Sequence, residues 1–265
     1  MVLANVLIFS LAHQPELTIS FLDIGQGDSI LIEAPTGVQV LVDGGPDKAV
    51  LRQLGTHLSP FDRTIDAVVE THPDADHIGG LPDVFERYDV GVFLEPGVEN
   101  DTAATVALER AVDAERATRV IARRGMRLIL GGGAYADILY PDRDVTHAET
   151  NFGSIVMRVV YGNNEFMLTG DAPKAVEGIL VAKGETLESD VLKAGHHGSK
   201  TSSAEAFVSA VNPQYVVYSR GCDNRYGHPA SETVALFEKL HIPALDTCEE
   251  GTITFHSNGT TIAVE

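Results

Sequence analysis

Apolar positions along this chain fall into short runs, separated by turns that are rich in Gly, Pro, Asn and Asp. β-Branched and alternating runs of this kind predict strands, and three pairs of them are joined by hairpin turns at residues 35–37, 162–164 and 258–259. Amphipathic or apolar stretches predict helices over residues 48–58, 81–88, 102–118, 173–183, 203–210 and 232–240. Strands and hairpins are followed by αβ units, and this order then repeats. The layered solution that fits is two central sheets with helices outside.

The first dozen residues form a separate segment. Residues 2–12 are mostly apolar, but they are too few to cross a bilayer, which needs roughly 20 apolar residues, and they lack the positive start of a signal peptide. A buried strand, an export signal and the tail of a membrane segment are the three alternatives. The break at residues 12–15 favours an export or anchor remnant over residues 1–15, followed by one domain over residues 16–265. We therefore expect an extracytoplasmic or membrane-associated protein with a tether at its N-terminus, and a cytoplasmic protein is the alternative.

Composition limits the choice of partners. The 265 residues are 44% hydrophobic, which is enough for the core of a layered α/β domain. Acidic residues number 38 against 19 basic ones, giving a formal charge of −19 that argues against stable non-specific binding to nucleic acid. This overall charge does not exclude a local basic pocket. Cys222 and Cys248 form no CxxC motif, so no cysteine zinc site is indicated, and they either pair or remain free.

Potential metal ligands are most concentrated in residues 71–77. His72, Asp74, Asp76 and His77 place four potential metal ligands within six residues. A β-branched run precedes them and predicts a buried strand, so the ligands fall on a loop at the carboxyl end of that strand, where α/β folds usually place their chemistry. A loop in which His and Asp ligands are interleaved in this way can surround two ions rather than one.

Five further residues repeat this logic at the ends of other predicted elements. Asp43 ends a strand before two glycines, and Asp171 ends another just after a glycine. His196 and His197 follow a third strand, and His228 lies on a later loop. Any one of these is commonly a turn, surface or core residue. The recurrence over several loops indicates a shared site.

This ordered set resembles the metallo-β-lactamase fold superfamily and, more narrowly, the hydrolase domain of competence DNA-uptake proteins of the ComEC type. The stretches that carry the resemblance are 21–28, 71–81, 168–171, 190–203 and 224–229. The resemblance as a whole extends over nearly the whole chain, from about residue 17 to the C-terminus. The resemblance implies an α/β fold, namely a four-layer αββα sandwich of two mixed sheets flanked by helices. It also implies a two-metal site between the sheets at one edge.

Ligand roles follow from the resemblance, residue by residue. The first ion would be held by His72 and Asp74, and Asp74 replaces a histidine that is usual in the superfamily. The second ion would be held by Asp76, His77 and either His196 or His197. Asp171 would bridge the two ions. Asp43 would fix the loop through hydrogen bonds, and Asn151, where another histidine often stands, is either a weak ligand or none.

Two divalent ions are the expected cofactors. Imidazoles mixed with carboxylates favour zinc, with manganese as the alternative because oxygen-rich sites suit harder ions. Ions roughly 3.5–4 Å apart would lower the pKa of a bridging water and orient the resulting hydroxide for attack. Asp76 and His228 are the candidate catalytic residues, and a structural role is the alternative for His228.

The expected substrate is an anionic phosphodiester. Lys200, Arg220 and Arg225 lie on or beside the loops that should flank the metals, although solvated loop cations are the alternative interpretation. Ser199, Asn224 and Tyr226 share these loops and are further candidates for substrate binding. The resemblance implies a nuclease acting on DNA in competence. A hydrolase of a small phosphodiester or other ester, and a non-catalytic binding module with a degenerate metal site, are the alternatives.

Overall fold

Two β-sheets pack face to face between two layers of helices in the computed structural model, which describes residues 16–265. The predicted αββα architecture is confirmed. The N-terminal tether predicted within residues 1–15 lies outside the described residues. The strands are β1 Leu17–Phe21, β2 Ile30–Glu33, β3 Gln39–Val42, β4 Thr64–Val69, β5 Asp89–Glu95, β6 Thr118–Ile121, β7 Arg127–Gly131, β8 Ala134–Tyr140, β9 Val156–Tyr161, β10 Asn164–Leu168, β11 Val191–Lys193, β12 Tyr215–Tyr218, β13 Ala244–Asp246, β14 Ile253–Ser257 and β15 Ile262–Val264.

Helices cover the outer face of each sheet. They are α1 Ala49–His57, α2 Ala75–Ile78, α3 Leu81–Arg87, α4 Ala103–Glu115, α5 Lys174–Ala182, α6 Glu205–Val211, α7 Ser231–Lys239 and α8 Thr247–Glu250. Apolar side chains of α1, α3 and α4 pack on the first sheet, and those of α5, α6 and α7 pack on the second. Within residues 16–265, no helix has both the length and the apolarity that crossing a bilayer requires.

Both sheets are mixed, as the resemblance implied. The first has the order β15-β14-β1-β2-β3-β4-β5-β6, and the second has the order β13-β12-β11-β10-β9-β8-β7. In each sheet, hairpin-linked antiparallel strands give way to a parallel run, β3 to β6 in the first and β10 to β13 in the second. The parallel strands end in loops at the same edge of the sandwich, so side chains in these loops can meet.

The inner faces of the two sheets form one apolar core. Phe255 contacts the rings of Phe21 and Phe166 edge-on, with centroids 6.0 and 5.9 Å apart, and all three side chains are buried. Edge-to-face pairs of this kind add to the stabilisation from burial. The core therefore joins a strand from the start of the domain, one from its middle and one from its end.

The last hairpin returns to the beginning of the domain. Strand β14 pairs antiparallel with β1 from Leu17 opposite Ser257 to Phe21 opposite Ile253. The imidazole of His256 lies between two carboxylates, with its Nδ1 3.8 Å from Glu16 and its Nε2 3.1 Å from Glu265. The two ends of the described chain are thus neighbours.

Element boundaries differ from the sequence prediction in a few places. Helix α4 ends at Glu115 rather than at residue 118, because Arg116 adopts a left-handed backbone with φ of 61° and the chain then enters β6. Residues 75–78 form the short helix α2, where only a loop was predicted. Short elements such as β13 and α8 were not predicted. Cys222 and Cys248 form a disulfide with an S–S distance of 2.12 Å, which resolves the alternative that the sequence left open.

Candidate metal centre

Loops after β4, β10 and β11 deliver the predicted ligands to one point between the sheets. The turn before Asp171 uses Gly170 with φ of 50°, and a Cβ there would lie 3.0 Å from the Cβ of Thr71, so glycine suits this close approach. His196 and His197 both adopt left-handed backbones, with φ of 50° and 55°. This turn brings two consecutive imidazoles to the same side, whereas a strand would direct them to opposite faces.

Four imidazoles surround the carboxylate of Asp171. Its oxygens lie 3.9 Å from Nε2 of His72, 3.3 Å from Nε2 of His77, 3.6 Å from Nε2 of His196 and 3.4 Å from Nε2 of His197. The structure thus brings together residues that are separated by up to 125 positions in the sequence. Asp171 lies at the centre of the group, where the resemblance expected a bridging ligand.

On the first sheet, the outward nitrogens of the imidazoles are held by a buried carboxylate. Asp43 accepts hydrogen bonds from the amide of Thr71 at 2.8 Å, the hydroxyl of Thr71 at 2.7 Å and Nδ1 of His77 at 2.8 Å. Because the Thr71 hydroxyl donates to Asp43, it accepts from Nδ1 of His72 at 3.0 Å. Both histidines therefore carry their proton on Nδ1 and present the Nε2 lone pair inward.

The second sheet fixes its two imidazoles in the same tautomer. Nδ1 of His197 donates to the carbonyl of Ser219 at 2.9 Å. Nδ1 of His196 lies 3.1 Å from the hydroxyl of Thr201, which itself donates to Ser199. Metal-ligating histidines generally use their other ring nitrogen in this way.

Several inward atoms in this group are left without a protein partner. In the part of the chain that the structure describes, Nε2 of His72, His77 and His197 and Oδ1 of Asp171 are buried and accept no hydrogen bond. Buried polar atoms are usually paired, and an unpaired one costs free energy. Ligand atoms of Asp28, His77, Asp171 and His197 all lie within 4.8 Å of one another. Divalent metal ions therefore fit the donor set of this site.

The electrostatics of the centre favour a cation. Burial alone would lower the pKa of His77, but the carboxylates of Asp171 and Asp43 raise it well above its ordinary value. Burial likewise opposes the charged form of His197, yet Asp171 and Asp28 raise its pKa to about 9. The imidazoles of His77 and His197 would gain protons because negative charge is in excess around them, and metal ions compete with protons for the same lone pairs.

Asp74 and Asp76 lie on two different sides of the imidazole group. Asp74 Oδ2 is 3.6 Å from Nε2 of His72, and Asp76 Oδ2 is 3.4 Å from Nε2 of His197. Burial raises the pKa of Asp76, but the nearby imidazoles of His197 and His77 lower it to about 2. The site thus has two lobes with a carboxylate in each, and Asp171 lies between them.

Two residues of the centre were missed by the sequence analysis. Asp28 lies with Oδ1 3.3 Å from Nδ1 of His197 and Oδ2 3.8 Å from Nδ1 of His77. Lys193 places its buried ammonium 2.5 Å from Asp28 and 3.5 Å from Asp171. Asp28 lies in the stretch 21–28 that carries the resemblance, but no role was assigned to it. A lysine inside the apolar strand β11 was the available signal for Lys193, because lysine is rarely buried without a partner.

Asn151 and His228 border the group. Nδ2 of Asn151 is 3.5 Å from Nδ1 of His196, and its buried Oδ1 accepts no hydrogen bond within residues 16–265. The ring of His228 contacts that of His196 edge-on at 5.6 Å. Burial, and then the imidazoles of His196 and His197, lower the pKa of His228 to about 4.

The predicted substrate-binding residues divide into buried and exposed sets. Ser199 is buried and accepts a hydrogen bond from Thr201, and Asn224 closes its own loop by bonding to the backbone of His228. Lys200, Arg225 and Tyr226 are exposed.

Arg220 was expected at the cationic rim, and this expectation is wrong. Its guanidinium forms an ion pair with Asp246, with Nε 2.7 Å and an Nη atom 2.6 Å from Oδ2. The arginine thereby links the loop after β12 to β13. It has a structural partner within the fold, so the rim carries fewer cations than the sequence suggested.

Comparison with known proteins gives the same assignment for most of the chain. A family model described as Metallo-beta-lactamase superfamily matches residues 22–221. The chain is 31% identical over 255 residues to ComE operon protein 3 from Bacillus subtilis (strain 168), covering 89% of this chain and 32% of that protein. It is also 31% identical over 243 residues to competence protein ComA from Neisseria gonorrhoeae, covering 91% and 32%. The chain thus spans about a third of the length of these relatives.

Solved structures share the fold. Zn²⁺-bound PqqB from Methylobacterium extorquens superimposes with a TM-score of 0.56 at 14% sequence identity, covering 87% of this chain and 97% of that one. At this level of identity the likeness concerns the sandwich alone.

Proposed function

The chain belongs to the metallo-β-lactamase superfamily, and from this premise we propose that it is a two-metal phosphodiesterase that cleaves DNA. One observation carries the proposal. Four imidazole Nε2 atoms face the carboxylate of Asp171, while their Nδ1 atoms are tied to the protein. The competence proteins among its relatives support DNA as the substrate.

The ligands divide between the two lobes. His72, Asp74 and His196 would hold one ion, and Asp76, His77 and His197 would hold the other, with Asp171 shared. In this assignment His196 and His197 would both be metal ligands, one in each lobe. When bound, two divalent ions activate water as a nucleophile and neutralise charge on the phosphoryl oxygens. Zinc is the first expectation, and manganese is the alternative.

Residues next to the ligands would orient this centre. Asp43 fixes the inward tautomer of His77 directly and that of His72 through Thr71. Asp28 and Lys193 would hold His197 and Asp171 from the other side. His228 borders His196 and has an exposed neighbour in Tyr226, so it would contact the substrate or its leaving group.

An extracytoplasmic location stays a prediction. The Cys222–Cys248 disulfide supports it, because disulfides persist mainly in oxidising compartments.

The test is a metal-stripped sample that is reconstituted with zinc, manganese or magnesium. It is assayed on single-stranded DNA, duplex DNA, bis(p-nitrophenyl) phosphate and a cephalosporin. We expect turnover of the phosphodiesters, and Asp171→Asn should reduce it by roughly 100-fold or more, since even residues that only orient ligands contribute roughly 10–100-fold. Asp113→Asn, an exposed change on α4, is the matched control.

Other outcomes would contradict the proposal. Turnover of the cephalosporin alone would exclude a phosphodiesterase. Less than one ion per chain after reconstitution, without turnover of any substrate, would favour a binding module with a degenerate site.

A further inference from the structure

The loop between β12 and α7 presents an aromatic ring to solvent beside the metal centre. Tyr226 is 55% exposed and stacks on His228, with centroids 5.8 Å apart and planes inclined by 16°. His228 in turn contacts His196, whose Nε2 lies 3.6 Å from Asp171. Two rings, those of Tyr226 and His228, therefore separate the outer face of Tyr226 from the imidazole of His196.

This ring is held in place rather than carried on a loose loop. The side chain of Asn224 accepts from the amide of His228 at 2.9 Å and donates to its carbonyl at 2.8 Å. The Cys222–Cys248 disulfide ties the start of the loop to α8. Fixing the loop in the free protein lowers the entropy that a ligand must remove on binding.

A cavity borders both the ring of Tyr226 and the proposed ligand Asp76. Its volume is about 310 Å³, and its lining includes Asp76, Gln26, Pro46, Arg225 and Tyr226. This volume falls at the lower end of the range for small-molecule pockets. Arg225 places its guanidinium carbon 5.1 Å from the centroid of the Tyr226 ring and donates to the Tyr226 hydroxyl at 3.1 Å. A flat ligand on this surface would meet both an aromatic face and a cation.

The negative charge of the chain bears on whether a nucleic acid would be bound through its phosphates or through its bases. At −19 the overall field opposes a polyanion, and Arg220 is already engaged with Asp246. Phosphate contacts alone would give weak and strongly salt-dependent binding. Stacking of a base on an aromatic side chain contributes about 1–3 kcal/mol without regard to sequence, but it requires an unpaired base.

We propose that Tyr226, supported by His228 and Arg225, is a base-stacking platform that makes this metal centre select single-stranded over duplex DNA. The inference rests on the proposed phosphodiesterase function and specifies its substrate class. A base stacked on Tyr226 would bring an adjacent phosphodiester towards Asp76 and the imidazoles. A paired base cannot reach the platform without first leaving its duplex.

The test compares three substrates of equal length: a single strand with bases, a single strand of abasic sugar-phosphate units, and a duplex. In the reconstituted wild-type protein, KM for the base-bearing strand should be about 5- to 150-fold lower than KM for the abasic strand, the range expected for one stacked base. In Tyr226→Ala the two values should converge, whereas Tyr226→Phe should keep the difference. Phe61→Ala removes an exposed ring elsewhere and should also keep it.

Failure of the platform and failure of the proposed function have different signatures. The platform is refuted, while the phosphodiesterase stands, if the wild-type protein cleaves the base-bearing and abasic single strands with equal KM. The same holds if Tyr226→Ala keeps the difference in KM between these two strands. If no phosphodiester is cleaved, the proposed function fails. The platform is then judged by fluorescence anisotropy of the same labelled strands, where equal affinities of the wild type and Tyr226→Ala for the base-bearing strand would refute it.

Discussion

Lys193 and Asp28 form a buried ion pair at the back of the metal centre, with Nζ and Oδ2 2.5 Å apart and each side chain at most 2% exposed. The same ammonium donates to the carbonyl of Gly170 at 3.0 Å, so it also fixes the peptide that precedes Asp171. Acidic side chains outnumber fixed cations in this region. Lys193 is a permanent positive charge that the fold supplies.

Replacing Lys193 by Met should destabilise the metal-free protein by about 3–5 kcal/mol, because the Asp28 carboxylate would remain buried without its cation. Urea denaturation followed by circular dichroism measures the free energy of unfolding. Lys200→Met, on an exposed lysine of the neighbouring loop, should change it by less than about 0.5 kcal/mol. Equal stabilities of the two variants would mean that Asp28 does not depend on this ion pair.

Asp43→Asn should weaken metal binding by about 10- to 100-fold while leaving the ligand set intact. The amide retains one acceptor oxygen but cannot serve both Thr71 and Nδ1 of His77, so the inward tautomer of His77 is no longer fixed. Competition with a chromogenic chelator measures the affinity. Asp66→Asn, at an exposed position of β4, is the matched control. Unchanged affinity in Asp43→Asn would show that tautomer control is unimportant.

Glu177 should make the fold less stable as pH rises. Burial raises its pKa from 4.5 to about 7, against the opposing hydrogen bonds from the amides of Ser203 and Ala204. Between these pH values the unfolded chain releases the proton and the folded chain keeps it, so the contribution present below pH 4.5 is lost towards pH 7. Each pH unit is worth about 1.4 kcal/mol, which gives a total of about 3 kcal/mol.

The measurement for Glu177 is the free energy of unfolding from pH 4.5 to 7 in the wild type and in Glu177→Gln. The wild type should lose stability relative to the variant across this window. Glu86→Gln, at an exposed position on α3, should run parallel to the wild type. Parallel curves for Glu177→Gln as well would show that Glu177 keeps an ordinary pKa.

Reduction of the Cys222–Cys248 disulfide should lower the free energy of unfolding by about 2–4 kcal/mol, since the bridge constrains the unfolded chain between two positions 26 residues apart. Urea titrations with and without a thiol reductant measure the difference. The double variant Cys222→Ser/Cys248→Ser should match the reduced protein and not respond to reductant. No response in the wild type would indicate that the bridge does not form in solution.

The sequence was most informative where ligand-type side chains directly follow the end of a predicted strand. The loop from His72 to His77, Asp171 and the adjacent His196 and His197 were all predictable, because ligand-type residues follow apolar runs there. Lys193 and Asp28 were not, because an ion pair joins two segments 165 positions apart, and nothing local reveals the partner of either residue. The same limit explains Arg220, whose partner Asp246 belongs to a strand too short to leave a pattern.

The pairing of β1 with β14, and the position of His256 between Glu16 and Glu265, bring the two ends of the described chain into contact. A short linker could therefore join them, and the chain could be reopened at an exposed turn such as Gly184 with the strand order of both sheets preserved. The domain is thus suited to circular permutation, which would allow a reporter or an affinity handle to be attached at that turn.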